Sequence, residues 1–303
     1  MRYESQYLWI LFKLWLKMTW AKITNSLDEN RTEFRTVSLF GQTLSAKVDW
    51  EHLPVLTTKE IHLESVIHEL IWFLQGNGNI RYLLINGVNI WTANAYEHNR
   101  FKEGFPDITI GEYTNKVKSD QAFADLYGNL DGGYGQAWRN FNGVDQIDRA
   151  LYMLKEHPES RENLISAWNP RETLDMALPP CHVLYQFHVK NNTLSLTMYQ
   201  RSADWFLGVP FNLTSYAILL LIFAKKLGLE PGSLYMHFGD THLYEDHFKQ
   251  AGKQLLRWAF KKRAPRIWIS GHVFESDLKD LTRSDFEVQR YHHLSKIRAE
   301  MAL

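Results

Sequence analysis

Apolar residues recur at helical spacing in several segments of the chain, and these segments predict its helices. The first covers residues 8–20, where Lys13 and Lys17 interrupt the apolar positions, and it predicts an amphipathic N-terminal helix within residues 1–23. Residues 215–227 form the most hydrophobic segment and predict a central helix. Further helices are predicted at residues 61–74, where Gly76 ends the pattern, and at residues 146–157 and 246–259.

Alternation of apolar and polar positions predicts the strands. Residues 183–189 and 193–199 alternate in this way, and Asn191-Asn192 between them predicts a hairpin turn. Shorter strands are predicted at residues 37–40, ended by Gly41, and at residues 163–168 and 266–269. The polar, glycine-containing region 91–135 predicts a long binding loop or lid. Because the chain has no internal repeat and no Pro/Gly/Ser-rich linker, these elements predict one mixed α/β domain over residues 1–303.

Composition narrows the classes of function. The 34 basic and 34 acidic residues cancel, so no global field attracts nucleic acid or an anionic membrane, and a bound anion must meet a local cluster of arginines. The apolar residues 8–20 are too few for the roughly 20 that a membrane-spanning helix needs, and no clear cleavage site follows them. A single cysteine excludes an intrachain disulfide. We therefore expect a cytoplasmic protein without a membrane or nucleic-acid partner.

The single cysteine is the first candidate for chemistry. It lies in Leu178-Pro179-Pro180-Cys181-His182, where two prolines stiffen the approach to a predicted strand and fix the direction of the thiol. A cysteine acts as a nucleophile through its thiolate, so it needs a nearby cation or base. The alternative is a small buried apolar residue, which is what most lone cysteines are.

Polar residues directly after the predicted strand 193–199 form a second candidate site. Gln, Arg and Ser side chains at a strand end suit a phosphate, and the arginine fork matches phosphate geometry. An aspartate and an asparagine farther along can read the edge of a base. The alternative is an exposed polar turn. The residues concerned are Gln200, Arg201, Ser202, Ala203, Asp204 and Asn212.

Two further groups leave their roles open. Three histidines and three acidic residues fall within residues 237–247, but the histidine spacing of five does not suit one helix face, so we prefer sugar-hydroxyl recognition by His242 and Tyr244 to a metal site. Glu69 lies in a predicted helix beside Leu70 and Trp72, where a carboxyl group is either a buried proton shuttle or part of a polar face. The glycine-rich residues 128–135 lack the Gly-Lys-Ser/Thr ending of a phosphate-binding loop.

Four blocks in this order resemble the thymidylate synthase family, and the resemblance runs from about Arg31 to the C-terminus. They are His68 to Gly76 (HELIWFLQG), Ala177 to His182 (ALPPCH), Gln200 to Asn212 (QRSADWFLGVPFN) and Gly239 to Tyr244 (GDTHLY). The resemblance implies a large kinked mixed sheet with surrounding helices and a homodimer that packs sheet to sheet. It also implies reductive methylation of dUMP to dTMP, with 5,10-methylenetetrahydrofolate as cosubstrate and no metal.

The resemblance also implies roles for individual residues. Cys181 would attack C6 of the uracil, Glu69 would organise proton transfer, and Tyr134 matches the position linked to removal of the C5 proton. The implied catalytic set is Cys181, Glu69, Arg201, Tyr134, Asn212, Asp204 and His182. The implied nucleotide-binding set is Arg31, Arg161 from the partner subunit, Gln200, Arg201, Ser202, Ala203, Asp204, Asn212, His242 and Tyr244. The implied folate contacts are His62, Trp91, Asp204, Leu207, Gly208, Phe211 and Ala302.

The chain departs from the family pattern near the implied phosphate, folate and closing segment. Glu162 follows Arg161 where the family usually has a second arginine, and a carboxylate there would repel a phosphate dianion unless it points away. Other departures are Thr92 after Trp91, Asp131-Gly132-Gly133 before Tyr134, and His292-His293-Leu294 near the C-terminus.

These departures keep two alternatives open. In a nucleotide hydroxymethylase of the same superfamily, water rather than hydride attacks the one-carbon unit; Asn212, Trp91 and the intact C-terminus favour the synthase. In an inactive nucleotide-binding homologue the chemistry is lost, but Cys181, Arg201, Asn212 and Glu69 are all present. Because the fold does not fix the reaction, the sequence leaves two outcomes of one-carbon transfer, a methyl group or a hydroxymethyl group.

Overall fold

The computed structural model describes residues 2–24 and 35–300. Its helices are α1 Arg2–Thr24, α2 Leu63–Leu74, α3 Arg81–Ile85, α4 Thr92–Asn99, α5 Ile110–Ser119, α6 Gln121–Tyr127, α7 Tyr134–Arg139, α8 Gln146–Glu156, α9 Gly208–Leu227, α10 Phe248–Leu255 and α11 His272–Glu275. Its strands are β1 Thr36–Lys47, β2 Leu164–Ser166, β3 His182–Lys190, β4 Thr193–Asp204, β5 Glu230–Tyr244, β6 Arg266–Ile269 and β7 Phe286–Gln289.

One mixed sheet organises the fold, with strand order β1-β5-β4-β3-β2, and β6 and β7 form a separate two-stranded pair. All neighbours in the large sheet are antiparallel except β4 and β5, which are parallel and are connected by α9. A parallel pair needs such a crossover, because the chain must return to the same end of the sheet. Register irregularities between His182 and Leu184 and between Leu194 and Leu196 bend the ladders. The predicted mixed α/β class is confirmed.

Three strand ends meet at one end of this sheet. His182, at the start of β3, pairs with Gln200 near the end of β4, and Asp204 at the end of β4 pairs with His242 near the end of β5. Because β3 is antiparallel to β4, and β4 is parallel to β5, the start of β3 and the ends of β4 and β5 lie at the same edge. Polar residues from all three strands therefore meet there. Cys181 directly precedes β3 and therefore lies at the same edge.

Helix α9 fills the centre of the protein. Residues 213–224 of this helix are buried, and Phe187 of β3 stacks on Phe223 with ring centroids 4.4 Å apart. By length and composition α9 could also cross a membrane, but 78% of its most apolar window is buried inside the protein. Its hydrophobicity therefore fits its position in the core, as the prediction of a central helix requires. Gly228, at φ +65°, ends the helix in the left-handed conformation that glycine adopts without strain.

Several other elements also lie where the pattern predicted them. α2, α8, β2 and β6 match their segments to within a few residues. Asn191 and Asn192 connect β3 to β4 with φ of +50° and +59°, as a tight turn between twisted strands requires. The predicted first helix is present as α1, but its outer surface exposes Trp9, Leu16 and Trp20 beside its lysines.

Four boundary predictions are wrong. The helix predicted at residues 215–227 begins at Gly208, and the strand predicted at residues 193–199 continues to Asp204 because β5 pairs with it along that whole length. The strand predicted to end at Gly41 continues to Lys47, and pairing with β5 resumes at Gln42, because a left-handed glycine (φ +73°) bends an edge strand without ending it. The helix predicted for residues 246–259 shortens to α10, with a single 3-10 turn on either side at Glu245–His247 and Trp258–Phe260.

One larger prediction is also wrong, and one long strand was missed. The region predicted as a long loop, residues 91–135, contains α4, α5 and α6, which pack together through an aromatic cluster of Tyr96, Phe105, Tyr113, Phe123 and Tyr127. The Thr109/Glu112 capping box was a readable signal for α5. The fifteen-residue strand β5 was not predicted, because its glycines and its histidine-rich end resemble a turn and a polar site.

The contact between α7 and α2 leaves no room for a side chain at Gly135. A Cβ there would lie 2.7 Å from the Phe73 carbonyl oxygen and 2.9 Å from the Phe73 Cα, which are backbone atoms that cannot rotate away. We expect Gly135→Ala to lower the free energy of unfolding by about 1–3 kcal/mol, measured by urea denaturation. Gly111→Ala, within α5 and without a close contact, is the matched control and should be neutral or stabilising. Equal effects of the two substitutions would contradict this account.

Candidate active site

Backbone hydrogen bonds fix Cys181 at the sheet edge. The N–H groups of Cys181 and His182 both donate to the Tyr134 hydroxyl, at 2.7 and 3.3 Å, and the Arg201 N–H donates to the Cys181 carbonyl at 2.8 Å. Tyr134 is held in turn by aromatic contacts with Phe73, at 5.1 Å between ring centroids, and with His182 at 4.9 Å. The position of the thiol is therefore determined by α7 and β4 as well as by the two preceding prolines.

Burial and one guanidinium act on the Cys181 thiol in opposite directions. Desolvation raises its pKa above the ordinary value, while the charge of Arg201 and hydrogen bonds from Tyr134 and Ser202 lower it. The Arg201 side chain donates to the carbonyl oxygens of Pro180 and Pro179, at 2.9 and 2.6 Å. The same arginine thus holds the segment that leads to Cys181 and is the cation that favours its thiolate.

The surface around Cys181, Tyr134 and Trp91, whose ring lies 6.1 Å from that of Tyr134, is here called the cleft, and Glu69 of α2 adds a carboxyl group to it. The indole N–H of Trp91 donates to Glu69 Oε1 at 2.7 Å. Although the residue reaches the cleft surface, the protein around its carboxyl removes enough water to raise the pKa of Glu69 to about 7, against the effect of the Trp91 hydrogen bond. A carboxyl group with this pKa can exchange protons near neutral pH.

Amide side chains form the floor between β4 and α9. The Gln200 amide donates to Asn212 Oδ1 at 3.2 Å and to the Ser202 carbonyl at 2.9 Å, which directs the Asn212 NH₂ group away from Gln200. His182 is buried beside them, and its pKa falls to about 4 through burial, opposed by a hydrogen bond with Asn212. The imidazole is therefore neutral at physiological pH.

The residues after β4 are ordered by Asp204. Its Oδ1 accepts the N–H groups of Phe206 and Leu207, at 2.9 and 3.0 Å, just before α9 begins. On β5, His242 Nδ1 lies 3.2 Å from Asp240 Oδ1, and its ring lies edge-on to Tyr244 at 5.2 Å. Asp204 and His242 are paired in the register of β4 and β5, so the two side chains lie at the same end of the sheet.

A cavity of about 740 Å³ adjoins these residues. Its wall includes Leu207, Phe211 and Tyr244, which are close neighbours in sequence of Asp204, Asn212 and His242. Two other parts of the chain also line it, Lys59, Glu60 and His62 from one segment and residues 296–300 from another. His62, Leu207 and Phe211 were predicted to contact the folate, and they are brought together here.

Sequence reasoning missed Lys59. The residue is only 3% exposed. Its ammonium group donates to the Phe206 carbonyl and lies 3.8 Å from the centroid of the Phe206 ring. Burial lowers its pKa to about 7, with Asp204 opposing the change. The Thr57-Thr58-Lys59 sequence carries no pattern that marks a buried lysine, so only the packing identifies it.

The predicted site residues do not all meet in the described structure. Contacts in the cleft join seven of them: Cys181, Arg201, Tyr134, His182, Gln200, Ser202 and Asn212. Ala203 is buried next to Ser202, and Gly208, the first residue of α9, lies beside Asn212. Arg31 and Ala302 lie outside the described residues. Arg161 is exposed before β2, where its carbonyl accepts from Gln186. That position is about 16 Å along β3 from Cys181.

Glu162 points toward a cation of its own chain. Its carboxylate lies 3.2 Å from the guanidinium of Arg149, which also donates to the Glu162 carbonyl.

Within the described residues, no group of three His, Cys, Asp or Glu side chains is arranged to hold a metal ion.

Known proteins with similar sequences point to one family. The sequence model described as "Thymidylate synthase" matches residues 17–303. The chain is 40% identical to a thymidylate synthase of Mycoplasma pneumoniae over 90% of this chain and 93% of the relative. It is 42% identical to one from Mycoplasma mobile, over 91% and 94%, and 45% identical to one from Mycoplasma genitalium, over 76% and 79%.

The raised pKa of Glu69 has a consequence for stability. Between pH 4.5 and about 7 the folded protein keeps a proton that the unfolded chain releases, so this group's contribution to stability falls as pH rises through that window. Glu69→Gln removes this titration. We therefore expect the free energy of unfolding of the variant, relative to that of the parent protein, to increase by up to about 3 kcal/mol from pH 4.5 to pH 8. Urea denaturation at both pH values measures this. A stability difference that is the same at the two pH values would refute the buried, proton-holding Glu69.

The single cysteine allows a direct test of the Arg201 charge. Alkylation by iodoacetamide reports Cys181 alone, and its rate follows the thiolate fraction. We expect Arg201→Gln to raise the pH midpoint of alkylation by about one unit or more, because a cation that lowers the thiol pKa is removed. Arg100→Gln, at an exposed arginine directly after α4, is the matched control and should leave the midpoint unchanged. The same midpoint in both variants would contradict the proposed electrostatic contact.

Proposed function

The chain belongs to the thymidylate synthase family, and from this we propose that it converts dUMP to dTMP with 5,10-methylenetetrahydrofolate and releases dihydrofolate. The observation that carries the proposal is one cleft in which Tyr134 contacts both Cys181, beside Arg201, and the Trp91 ring that holds Glu69, next to a cavity of about 740 Å³. A nucleotide can lie over the thiol while an extended cosubstrate occupies the cavity.

Cys181 begins the reaction by making the pyrimidine nucleophilic. Its thiolate forms a bond to C6 of the uracil, and the electron pair of the C5–C6 double bond moves toward the C4 carbonyl as an enolate. Arg201 favours the thiolate that this step needs. Asn212, whose amide is oriented by Gln200, would pair with the uracil edge through one donor and one acceptor.

Proton transfer completes the exchange at C5. The folate supplies the one-carbon unit and then the hydride that reduces it to a methyl group. Glu69, with a pKa of about 7, would pass protons through water at the pyrimidine ring, and Tyr134 would assist removal of the C5 proton. Breaking the Sγ–C6 bond then returns Cys181 to its starting state.

The remaining nucleotide contacts follow from the resemblance. Arg201 and Ser202 lie beside Cys181 and would hold the phosphate together with Arg31, while His242 and Tyr244 would meet the deoxyribose. We propose that the chain forms a sheet-to-sheet homodimer in which Arg161 reaches the partner's nucleotide. The distance of Arg161 from Cys181 along β3 supports a role outside its own subunit's cleft. The contact of Glu162 with Arg149 reduces the repulsion that its carboxylate would exert on a phosphate.

The folate contacts are proposed around the cavity. His62, Leu207 and Phe211 line it, and Trp91, Asp204 and Gly208 lie on the side of the nucleotide cleft. Ala302 would belong to a C-terminal segment that closes the site against water. We further propose that residues 1–303 act as one catalytic domain in the cytoplasm.

The reaction is tested by following dihydrofolate absorbance and nucleotide mass with dUMP and 5,10-methylenetetrahydrofolate. We expect dihydrofolate to form together with a methyl mass gain on the nucleotide. Cys181→Ser should lower kcat by at least about 10³-fold while leaving dUMP binding measurable, since it removes the nucleophile and little else. A hydroxymethyl mass gain without dihydrofolate would replace the proposal with the hydroxymethylase, and absence of turnover would refute it.

A further inference from the structure

Glu4, near the start of α1, is a fully buried carboxylate. Its Oε1 accepts the N–H groups of Thr57 and Thr58 at 2.8 and 2.9 Å, and its Oε2 accepts the Thr57 hydroxyl at 3.0 Å. Charged residues are almost never completely buried unless their oxygens are satisfied in this way. Among the buried side chains of α1, Glu4 is the one that binds the backbone of Thr57 and Thr58 in the described structure.

Two consecutive amides of the loop depend on this carboxylate. Thr57 and Thr58 are themselves fully buried, so loss of the acceptor would leave two N–H groups without a partner, at a cost of about 1–3 kcal/mol each. Gln254 adds a hydrogen bond of 3.0 Å to the Thr58 hydroxyl. The loop of Thr57, Thr58 and Lys59, here called the 57–59 loop, is therefore anchored mainly through buried polar contacts.

The 57–59 loop connects two walls of the 740 Å³ cavity. Lys59 lines one wall, and His62 follows three residues later. The Thr57 carbonyl accepts the N–H of Leu294 at 2.8 Å, and Arg257 bridges the carbonyls of Thr58 and Ser295 at 3.0 and 2.6 Å. Residues 296–300, which continue from there, form the C-terminal wall of the same cavity.

We propose that Glu4 is a positioning residue for the folate: by anchoring the 57–59 loop, it sets the distance between the Lys59/His62 wall and the C-terminal wall of the cavity. This inference rests on the proposed function and deepens it, since it assigns part of cosubstrate affinity to the N-terminal helix. Glu4 does not line the cavity and acts only through the loop. The hydrogen bonds that hold Cys181, Arg201 and the Gln200/Asn212 pair do not involve the 57–59 loop, whose link to that side is the contact of Lys59 with Phe206.

The test compares three substitutions in the full-length protein. Glu4→Leu has a similar size but no acceptor, so the loop loses its anchor. Glu4→Gln keeps one oxygen for the two amides, and its NH₂ can donate to the Thr57 hydroxyl. Leu14→Ala is the control, because Leu14 is equally buried on α1 but lies ten residues, about 15 Å, farther along the helix.

For Glu4→Leu we expect the KM for 5,10-methylenetetrahydrofolate to rise by about 10-fold or more, because small displacements of a binding wall have large effects, while the KM for dUMP stays within about two-fold. Glu4→Gln should restore most of the folate KM. Leu14→Ala should lower the thermal midpoint without changing the ratio of the two KM values. The dissociation constant of the folate in the presence of dUMP, measured by tryptophan fluorescence, should follow the folate KM.

Failure of this inference differs from failure of the proposed function. If the parent protein shows no turnover, the function is wrong, and the fluorescence titration still reports whether Glu4 affects folate binding. If the parent turns over but Glu4→Leu changes both KM values equally, or matches Leu14→Ala, Glu4 is only a stabilising residue and the inference is overturned. Loss of folate binding in Glu4→Gln as severe as in Glu4→Leu would also overturn it.

Discussion

The parallel pairing of β4 with β5 is the constraint on which the site depends. Because α9 must return the chain to the start of the sheet, the ends of β4 and β5 point the same way, and the antiparallel β3 begins at that end. One edge of the sheet thus receives the thiol of Cys181, the polar run that ends β4 and the histidine of β5. The core built by α9 holds these strands rigidly, which suits a reaction that needs close alignment of two substrates.

Burial changes the pKa of four groups in the cleft and the cavity, and the direction depends on the charge type. It raises the pKa of Cys181 and of Glu69, and it lowers the pKa of His182 and Lys59. Desolvation therefore favours the neutral form of each of these four groups. Arg201 provides the opposing charge where a thiolate is needed, and the Trp91 hydrogen bond moderates the effect at Glu69. The protonation states of these groups are therefore set by two opposing effects, desolvation and a few specific contacts.

The cavity beside the cleft depends on parts of the chain that are far apart in sequence. The 57–59 loop is held by Glu4 of α1, by Gln254 of α10 and by Arg257 just after it, and the same loop binds the segment that leads to residues 296–300. The first and last segments of the chain therefore meet at one buried loop. An N-terminal helix in this arrangement contributes to the shape of a binding site as well as to the core.

The sequence by itself determined the family, the candidate nucleophile and most regular elements. Local patterns were sufficient for α2, α8, α9 and the β3–β4 hairpin, since periodicity and turn chemistry are properties of neighbouring residues. The four family blocks identified residues such as Cys181 and Asn212, which the structure brings into one cleft with Arg201 and Tyr134.

Only the tertiary structure decided the rest, because the physical causes lie between distant segments. β5 is a strand because β1 and β4 pair with it on both sides, despite glycines that resemble a turn. The short helices α4 to α6 are stabilised by aromatic packing rather than by periodicity. Burial of Glu69, Lys59 and Glu4, and hence their pKa values or hydrogen bonds, follows from long-range packing that no local pattern contains.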